Sequence, residues 1–266
     1  MPELVGRLTS GYARCVQPIS ATALSTSADG LVAGCVEIPV AGSAIPAYRA
    51  RPAAAGPHPV VLVVHEIFGA HEYIQDVCRR LAHEGFLAIA PELFVRYGDV
   101  AIQPELKDTV LNVVRFVPDA EVLSDLDACV TWASDSGEGD AERLGITGFC
   151  WGGRIVWLYA SHNPRLRAGV AWYGRLVGDA SERTPAHPLQ VAGSLHAPVL
   201  GLYGEMDAAI PLESIALMRD ALAAAGDASE FVIYPDAPHG FHSDYRESFR
   251  KDAAEDGFRR LLAWLA

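Results

Sequence analysis

The sequence is short of positive charge for its size. Its 266 residues include 21 Lys and Arg against 33 Asp and Glu, which gives a formal net charge of −12. Nucleic-acid backbones and anionic membrane surfaces both need clustered cations on their protein partners. We therefore expect neither a nucleic acid nor a membrane as partner, and we look for the chemistry of a small molecule.

Cysteines are few, and long apolar runs are absent. Five cysteines occur, an odd number without a C-x-x-C pair, which is typical of free thiols in a reducing compartment. No stretch approaches the ~20 continuous apolar residues of a membrane-spanning helix. Residues 1–20 also lack the apolar core of a signal peptide. These features predict a cytoplasmic protein. The cysteines are Cys15, Cys35, Cys78, Cys129 and Cys150.

Apolar runs alternate with helical periodicities along most of the chain. Val60 to Val64 is a continuous apolar run, as expected for a strand buried on both faces. Apolar residues from Ile74 to Ala82 recur at helical spacing, and Gly85 is expected to end that helix. Further strands are predicted at 31–38, 45–50, 86–90, 144–148, 168–173, 199–203 and 231–234, further helices around 123–133, 154–161, 215–225 and 254–265, and one more helix within 91–117.

This alternation predicts an α/β fold. Strands that alternate with helices form a mostly parallel sheet with helices on both faces. We expect one such domain over residues 31–266, preceded by an N-terminal arm over residues 1–30. In open parallel sheets, functional residues lie at the carboxyl ends of the strands.

A cysteine-centred motif follows the strand predicted at 144–148. The segment reads Gly148-Phe-Cys150-Trp-Gly152-Gly, which matches the nucleophile elbow G-x-S-x-G with cysteine in place of serine. The flanking glycines permit a sharp turn, and a helix N-terminus at this point favours the thiolate. The backbone N–H of Trp151 can then stabilise an oxyanion. The alternative is a buried structural cysteine, which is our interpretation of Cys78 and Cys129 on helix faces.

An acid and a base follow in the order that this fold uses. In α/β-hydrolases the chain order is nucleophile, acid, histidine. Asp207 and His239 follow Cys150 in that order, each just after a predicted strand. Either residue alone could be an ordinary turn former. The ordered set of three predicts an α/β-hydrolase fold with a cysteine nucleophile.

Several segments together resemble the dienelactone hydrolase (carboxymethylenebutenolidase) family. The resemblance runs from about Ile45 to the C-terminus, and the combination of its HEIFG and GFCWGG motifs is specific. It implies hydrolysis of lactones or enol esters through a thioester acyl-enzyme. The sequence contains no cofactor motif, so we expect no cofactor. The matching segments are VVHEIFG at 63–69, PELFVR at 91–96, GITGFCWGG at 145–153, WYG at 172–174, GEMD at 204–207 and PHGFHSDYR at 238–246.

The resemblance also implies roles for individual residues. It assigns a Cys-His-Asp triad to Cys150, His239 and Asp207. It implies that Glu66 lies beside the resting thiol and shifts when substrate binds, so that the thiolate forms only in the complex. It also implies that the N–H of Ile67 joins that of Trp151 in the oxyanion hole. The alternative for Glu66 is a helix-capping or solvated carboxylate.

The sequence departs from the family at an arginine that binds a substrate carboxylate. The family has this arginine four residues after the catalytic histidine, where this chain has Ser243. Arg96 or Arg246 could take its place, although either could equally form an ordinary ion pair. Nearby aromatic residues could form an apolar cleft, each of them being alternatively a core residue. The candidate substrate-binding residues are Arg96, Tyr173, Phe68, Phe94, Phe241 and Arg246.

Metal chemistry is not expected. His239 and His242 have a spacing that binds metal on a helix, but Gly240 between them argues against a helix. Two other functions stay open: a broad-specificity thiol esterase or thioesterase, and a non-catalytic small-molecule-binding member of the fold. For the enzyme, we expect a pH profile governed by His239 titrating near neutrality.

Overall fold

One sheet of eight strands organises the chain, in the order β1-β2-β4-β3-β5-β6-β7-β8. The computed structural model describes residues 22–100 and 106–266. Strand β2 pairs antiparallel with β1 and β4, and the remaining neighbours are parallel. The strands are β1 (Leu31–Val40), β2 (Ser43–Pro52), β3 (His58–Val64), β4 (Leu87–Pro91), β5 (Gly139–Phe149), β6 (Leu166–Trp172), β7 (Val199–Gly204) and β8 (Glu230–Tyr234).

Helices cover both faces of this sheet. They are α1 (Glu72–His83), α2 (Leu106–Asn112), α3 (Asp119–Asp135), α4 (Trp151–His162), α5 (Pro188–Val191), α6 (Leu212–Ala225) and α7 (Lys251–Leu265), with short 3-10 turns at Val114–Phe116 and Ala192–Ser194. Helices α1 and α7 share one apolar core with the sheet. Helices α3, α4 and α6 share the other. The predicted mostly parallel sheet with helices on both faces is therefore confirmed.

The predicted elements occur with shifted ends. Gly226 ends α6 in a left-handed conformation (φ +69°), as its position after the periodic residues indicates. The region 91–117 contains α2, as predicted. The short helix α5 was not predicted, because four residues carry too little periodicity. Cys78 and Cys129 lie fully buried in the core. No helix within residues 22–100 and 106–266 is long and apolar enough to cross a bilayer.

Part of the predicted N-terminal arm contacts the body of the protein. The backbone N–H of Thr26 donates to Asp76 Oδ1 on α1 at 2.6 Å, and Arg79 Nε donates to the Thr26 carbonyl at 2.9 Å. The N–H of Leu24 donates to the buried carboxylate of Asp244. The arm up to Ala21, including Cys15, lies outside the described residues, and the division at residue 30 stays a prediction.

Candidate active site

Cys150 lies on a sharp turn between β5 and α4. Its backbone has φ +55° and ψ −112°, a conformation that residues with a side chain rarely adopt. The Cys150 N–H donates to the Trp172 carbonyl at 3.0 Å, which holds the turn against β6. The thiol is partly accessible. The strand–turn–helix context predicted for this cysteine is therefore present, and its strained backbone is a common feature of functional sites.

Two glycines permit this turn, as their spacing predicts. A Cβ on Gly148 would lie 2.4 Å from the Gly152 carbonyl oxygen. A Cβ on Gly152 would lie 2.3 Å from the carbonyl oxygen of Val64, the last residue of β3. Any side chain at either position would force backbone to move. The first turn of α4 thus lies directly against the carboxyl end of β3, where the HEIFG segment begins.

The turns after β7 and β8 bring Asp207 and His239 together. His239 Nδ1 and Asp207 Oδ2 lie 2.7 Å apart, and the Asp207 side chain is fully buried while that of His239 is 33% exposed. The Cys150 side chain is the other group that raises the pKa of this imidazole, so the two side chains are close. A Cβ on Gly204 would lie 2.1 Å from the Ala237 carbonyl oxygen, so the two turns are in direct contact. The structure therefore brings side chains from three strand ends together, with His239 hydrogen bonded to Asp207 and close to Cys150.

The surroundings of His239 change its expected titration. Burial alone would lower the pKa of this imidazole, but the hydrogen bonds and charges of Asp207 and Cys150 outweigh burial and raise the pKa to about 10. The titration near neutrality expected from the sequence is therefore corrected, because that value neglects the effects of Asp207 and Cys150. At neutral pH the resting imidazole is accordingly a cation.

Glu66 and Arg246 form an ion pair near this centre. Glu66 is fully buried, and both its carboxylate oxygens accept from the Arg246 guanidinium, with 3.1 Å between Arg246 Nη1 and Glu66 Oε1. The guanidinium also lies over the Phe68 ring, 4.6 Å from its centroid. Glu66, the carboxylate expected beside the thiol, and Arg246, a candidate substrate arginine, are thus partners of each other in the structure.

Arg246→Gln is expected to lower the free energy of unfolding by about 3–5 kcal/mol, because it leaves a buried carboxylate without its cation. The double variant Glu66→Gln/Arg246→Gln should regain part of this loss. Urea unfolding measures both changes. Arg259→Gln is the control, since Arg259 pairs with Asp256 at the surface and should cost less than about 1 kcal/mol. A loss for Arg246→Gln as small as the control's would contradict the buried pairing.

Arg96, the other candidate substrate arginine, pairs with two carboxylates of its own. Arg96 Nε donates to Glu121 Oε1 at 2.7 Å, and the same guanidinium pairs with Asp125 on α3. Its side chain is 27% exposed. Like Arg246, it already has carboxylate partners in the structure, so a substrate carboxylate would have to compete for either cation.

The candidate aromatic residues lie around the catalytic centre at different depths. The Tyr173 ring lies 5.1 Å from the His239 ring, and its backbone has φ +39°. Phe241 is fully buried behind Tyr173, with 5.3 Å between ring centroids. Phe94 lies 4.8 Å from the Trp151 ring. Tyr173 and Phe94 therefore adjoin catalytic candidates, whereas Phe241 packs in the core that supports them.

His242 does not share a site with His239. Its Nδ1 lies 2.6 Å from the Tyr73 hydroxyl oxygen, and it is buried on α1's side of the sheet. His239 is engaged with Asp207 instead. Within the two described ranges, no three His, Cys, Asp or Glu side chains converge as metal ligands.

Comparisons with known proteins give one family over most of the chain. Residues 45–266 match the model of the dienelactone hydrolase family. A Methylorubrum extorquens protein provisionally named a carboxymethylenebutenolidase is 57% identical over 258 residues, covering 97% of this chain and 89% of that protein. An Escherichia coli K12 protein with the same provisional name is 53% identical over 256 residues, covering 96% of this chain and 94% of its own.

A solved structure extends the similarity to three dimensions. The crystal structure of a protein from Klebsiella pneumoniae, provisionally described as a dienelactone hydrolase, superposes with a TM-score of 0.87 at 55% sequence identity. The match covers 88% of this chain and 98% of the other. Strands β3 to β8 and the turns that carry the candidate residues lie within the range matched by the family model.

Proposed function

The chain belongs to the dienelactone hydrolase family and is a hydrolase of ester or lactone bonds, and on this premise we propose that it acts through a Cys150 thioester. In this proposal His239 is the acid and base, Asp207 orients it, and the N–H groups of Ile67 and Trp151 bind the oxyanion. The preferred substrates are lactones and enol esters, because a thiolate attacks activated esters more readily than amides.

One observation carries the proposal: Asp207 and Cys150 are both partners of His239. Asp207 Oδ2 lies 2.7 Å from His239 Nδ1, and the Cys150 side chain is close enough to raise the pKa of the imidazole. A nucleophile bonded to a base that a third group orients is the common arrangement of covalent hydrolases. Asp207 is fully buried, and its hydrogen bond to Nδ1 orients the imidazole.

Acylation begins with attack of the Cys150 thiolate on the substrate carbonyl carbon. The carbonyl oxygen becomes an oxyanion and accepts hydrogen bonds from the N–H groups of Ile67 and Trp151. Collapse of this intermediate breaks the bond between the acyl carbon and the ester oxygen. The leaving oxygen departs as an enolate or alkoxide and takes the proton of the His239 imidazolium. A lactone ring opens in this step and stays attached as the thioester.

In deacylation His239 acts as a base, whereas in acylation it acts as an acid. His239 is now neutral and takes a proton from water as the water oxygen attacks the thioester carbon. The same two N–H groups hold the second oxyanion. Its collapse expels the Cys150 thiolate and releases a carboxylic acid, and the imidazolium is again present beside the thiolate.

A broad-specificity thiol esterase is the second candidate function. The observation in its favour is that Arg96 and Arg246 both have carboxylate partners already. A substrate without a carboxylate needs neither cation. Comparing kcat/KM for dienelactone and for a neutral aryl ester separates the two: a preference for the neutral ester favours the broad esterase.

Peptide mapping after limited iodoacetamide treatment tests the proposed nucleophile. We expect Cys150 to be alkylated at least about tenfold faster than Cys35 at pH 6, because a neighbouring imidazolium favours the thiolate. Cys35 is the matched control, being an exposed free thiol on β1. A slowly hydrolysed ester should also add its acyl mass to the Cys150 peptide alone.

Three results would contradict this proposal. The first is equal alkylation of Cys150 and Cys35. The second is an acyl group on a different residue, and the third is hydrolysis that continues unchanged after Cys150 is fully alkylated.

A further inference from the structure

We propose that His65 is a positioning residue that builds the oxyanion hole, and this inference rests on the proposed function. His65 precedes Glu66 at the carboxyl end of β3, and it is fully buried. Its ring contacts the Glu66 carbonyl, which belongs to the same peptide group as the Ile67 N–H, and the side chain of Trp151.

The hydrogen bonds of His65 fix its tautomer. The Leu93 N–H donates to His65 Nε2 at 3.2 Å, so this nitrogen carries no proton. Nδ1 lies 2.6 Å from the Glu66 carbonyl oxygen, so Nδ1 carries the proton and donates it. Burial lowers the pKa of this imidazole and keeps the ring neutral. The nearby carboxylates of Glu92 and Glu66 oppose this shift but do not outweigh it.

The bond to the Glu66 carbonyl orients the next N–H. The peptide group between Glu66 and Ile67 is planar, and in the trans form its C=O and N–H point in opposite directions. By holding the carbonyl on its own side, His65 turns the Ile67 N–H to the other side of the peptide. Among the described residues, the Ile67 N–H has no protein acceptor. That donor is therefore oriented and unoccupied.

The residue that carries the second donor, Trp151, packs against the same imidazole. The Trp151 ring stacks on His65 with 5.8 Å between centroids and an interplanar angle of 18°. Phe94 packs against both rings, 4.7 Å from His65 and 4.8 Å from Trp151. A Cβ on Gly152 would lie 2.6 Å from the His65 carbonyl oxygen, so the first turn of α4 meets the His65 backbone as well. One buried ring therefore fixes both donors.

Steady-state kinetics of His65→Leu and His65→Asn test this role. His65→Leu keeps the apolar packing but removes the Nδ1–H donor, and we expect kcat to fall about a hundredfold with KM nearly unchanged. Asn can return an N–H donor close to the position of Nδ1. We therefore expect His65→Asn to recover at least about tenfold of the lost kcat.

Butanal distinguishes positioning from general damage. It adds reversibly to a thiolate, and its carbonyl oxygen becomes an oxyanion in the adduct, whereas alkylation by iodoacetamide forms no oxyanion. We expect His65→Leu to weaken butanal inhibition by about the same factor as kcat. The alkylation rate of Cys150 should stay within about twofold of wild type.

Asn163→Leu is the matched control. Asn163 is buried at the other end of α4, where its amide donates to Asp127 Oδ1 at 2.7 Å and to the Tyr159 hydroxyl at 2.8 Å. Its loss removes buried hydrogen bonds from the same helix, far from Cys150. We expect lower stability with unchanged kcat and unchanged butanal affinity.

Three outcomes would overturn the inference. In His65→Leu, alkylation and hydrolysis could fall by the same factor, or butanal affinity could stay at the wild-type value. If His65→Leu does not fold, His65→Gln replaces it, and a Gln variant as active as the Asn variant would count against the Nδ1 donor. Failure of the proposed nucleophile is distinct, since Cys150 would then resist alkylation in the wild-type protein.

Discussion

Cys150→Ala is expected to lower kcat/KM by about 10⁶-fold, the scale seen when a hydrolase loses its nucleophile. Removal of the thiol takes away both the attacking atom and one partner of His239. The oxyanion donors belong to the backbone and remain. Their residual catalysis should leave a rate above that of water alone. The loss is therefore large but not complete.

Cys150→Ser adds a sharper comparison. A serine hydroxyl is a far weaker nucleophile than a thiolate and needs its proton removed in the attack. We expect Cys150→Ser to lie between wild type and Cys150→Ala, with a rate that rises with pH as His239 becomes neutral. Hydrolysis of an aryl ester, followed from pH 6 to 10, measures all three proteins.

Cys35→Ala is the control for these variants. Cys35 is exposed on β1, at one end of the strand order, so its loss should leave kcat/KM unchanged. A Cys150→Ala protein that folds normally and keeps more than about a tenth of wild-type activity would contradict a thioester mechanism.

The elbow and the three catalytic candidates could be predicted from sequence because each is recognised from its own short segment. Gly148 and Gly152 are needed because a side chain at either position would collide with nearby backbone. Without those side chains, the turn can close and the first turn of α4 can pack against the end of β3. Asp207 and His239 each follow a strand directly. A parallel sheet brings such strand ends to one edge.

The ion pairs could not be predicted, because they join residues that are distant in sequence. Glu66 and Arg246 are 180 positions apart. No periodicity or motif states that these two side chains meet, and the sequence equally allowed Arg246 to face the substrate. Arg96 illustrates the same limit, since its partners on α3 follow 25 and 29 positions later.

Solvent exposure is the other property that could not be predicted from the sequence. The pKa of His239 depends on how far water is excluded and on the contacts with Asp207 and Cys150. The role proposed for His65 depends on which atom each ring nitrogen meets. A sequence supplies the residue type but neither the solvent exposure nor the tautomer. The motifs therefore predict the candidate catalytic residues, but not their pKa values or the contacts of His65.

Asp207→Asn is expected to lower kcat by about 10³–10⁴-fold while the fold persists. The Asp207 carboxylate accepts the Nδ1–H of His239 at 2.7 Å, and an asparagine can instead offer its amide N–H to that nitrogen. The imidazole would then carry its proton on the side that faces the thiol, the wrong tautomer for taking a proton from water. Active-site alkylation and circular dichroism check that Cys150 is accessible and that the fold is intact.

The same substitution should lower the pKa of His239 from about 10, because it removes one of the two groups that oppose burial. A histidine whose folded pKa lies above its unfolded value of 6.5 stabilises the fold fully below pH 6.5, and this stabilisation is lost as pH rises through about 10. The difference in melting temperature between wild type and Asp207→Asn should therefore shrink between pH 7 and pH 11. NMR titration of the His239 ring measures the shift directly. An unchanged titration would mean that Asp207 does not hold the imidazolium, and the charge assigned to the resting site would then be wrong.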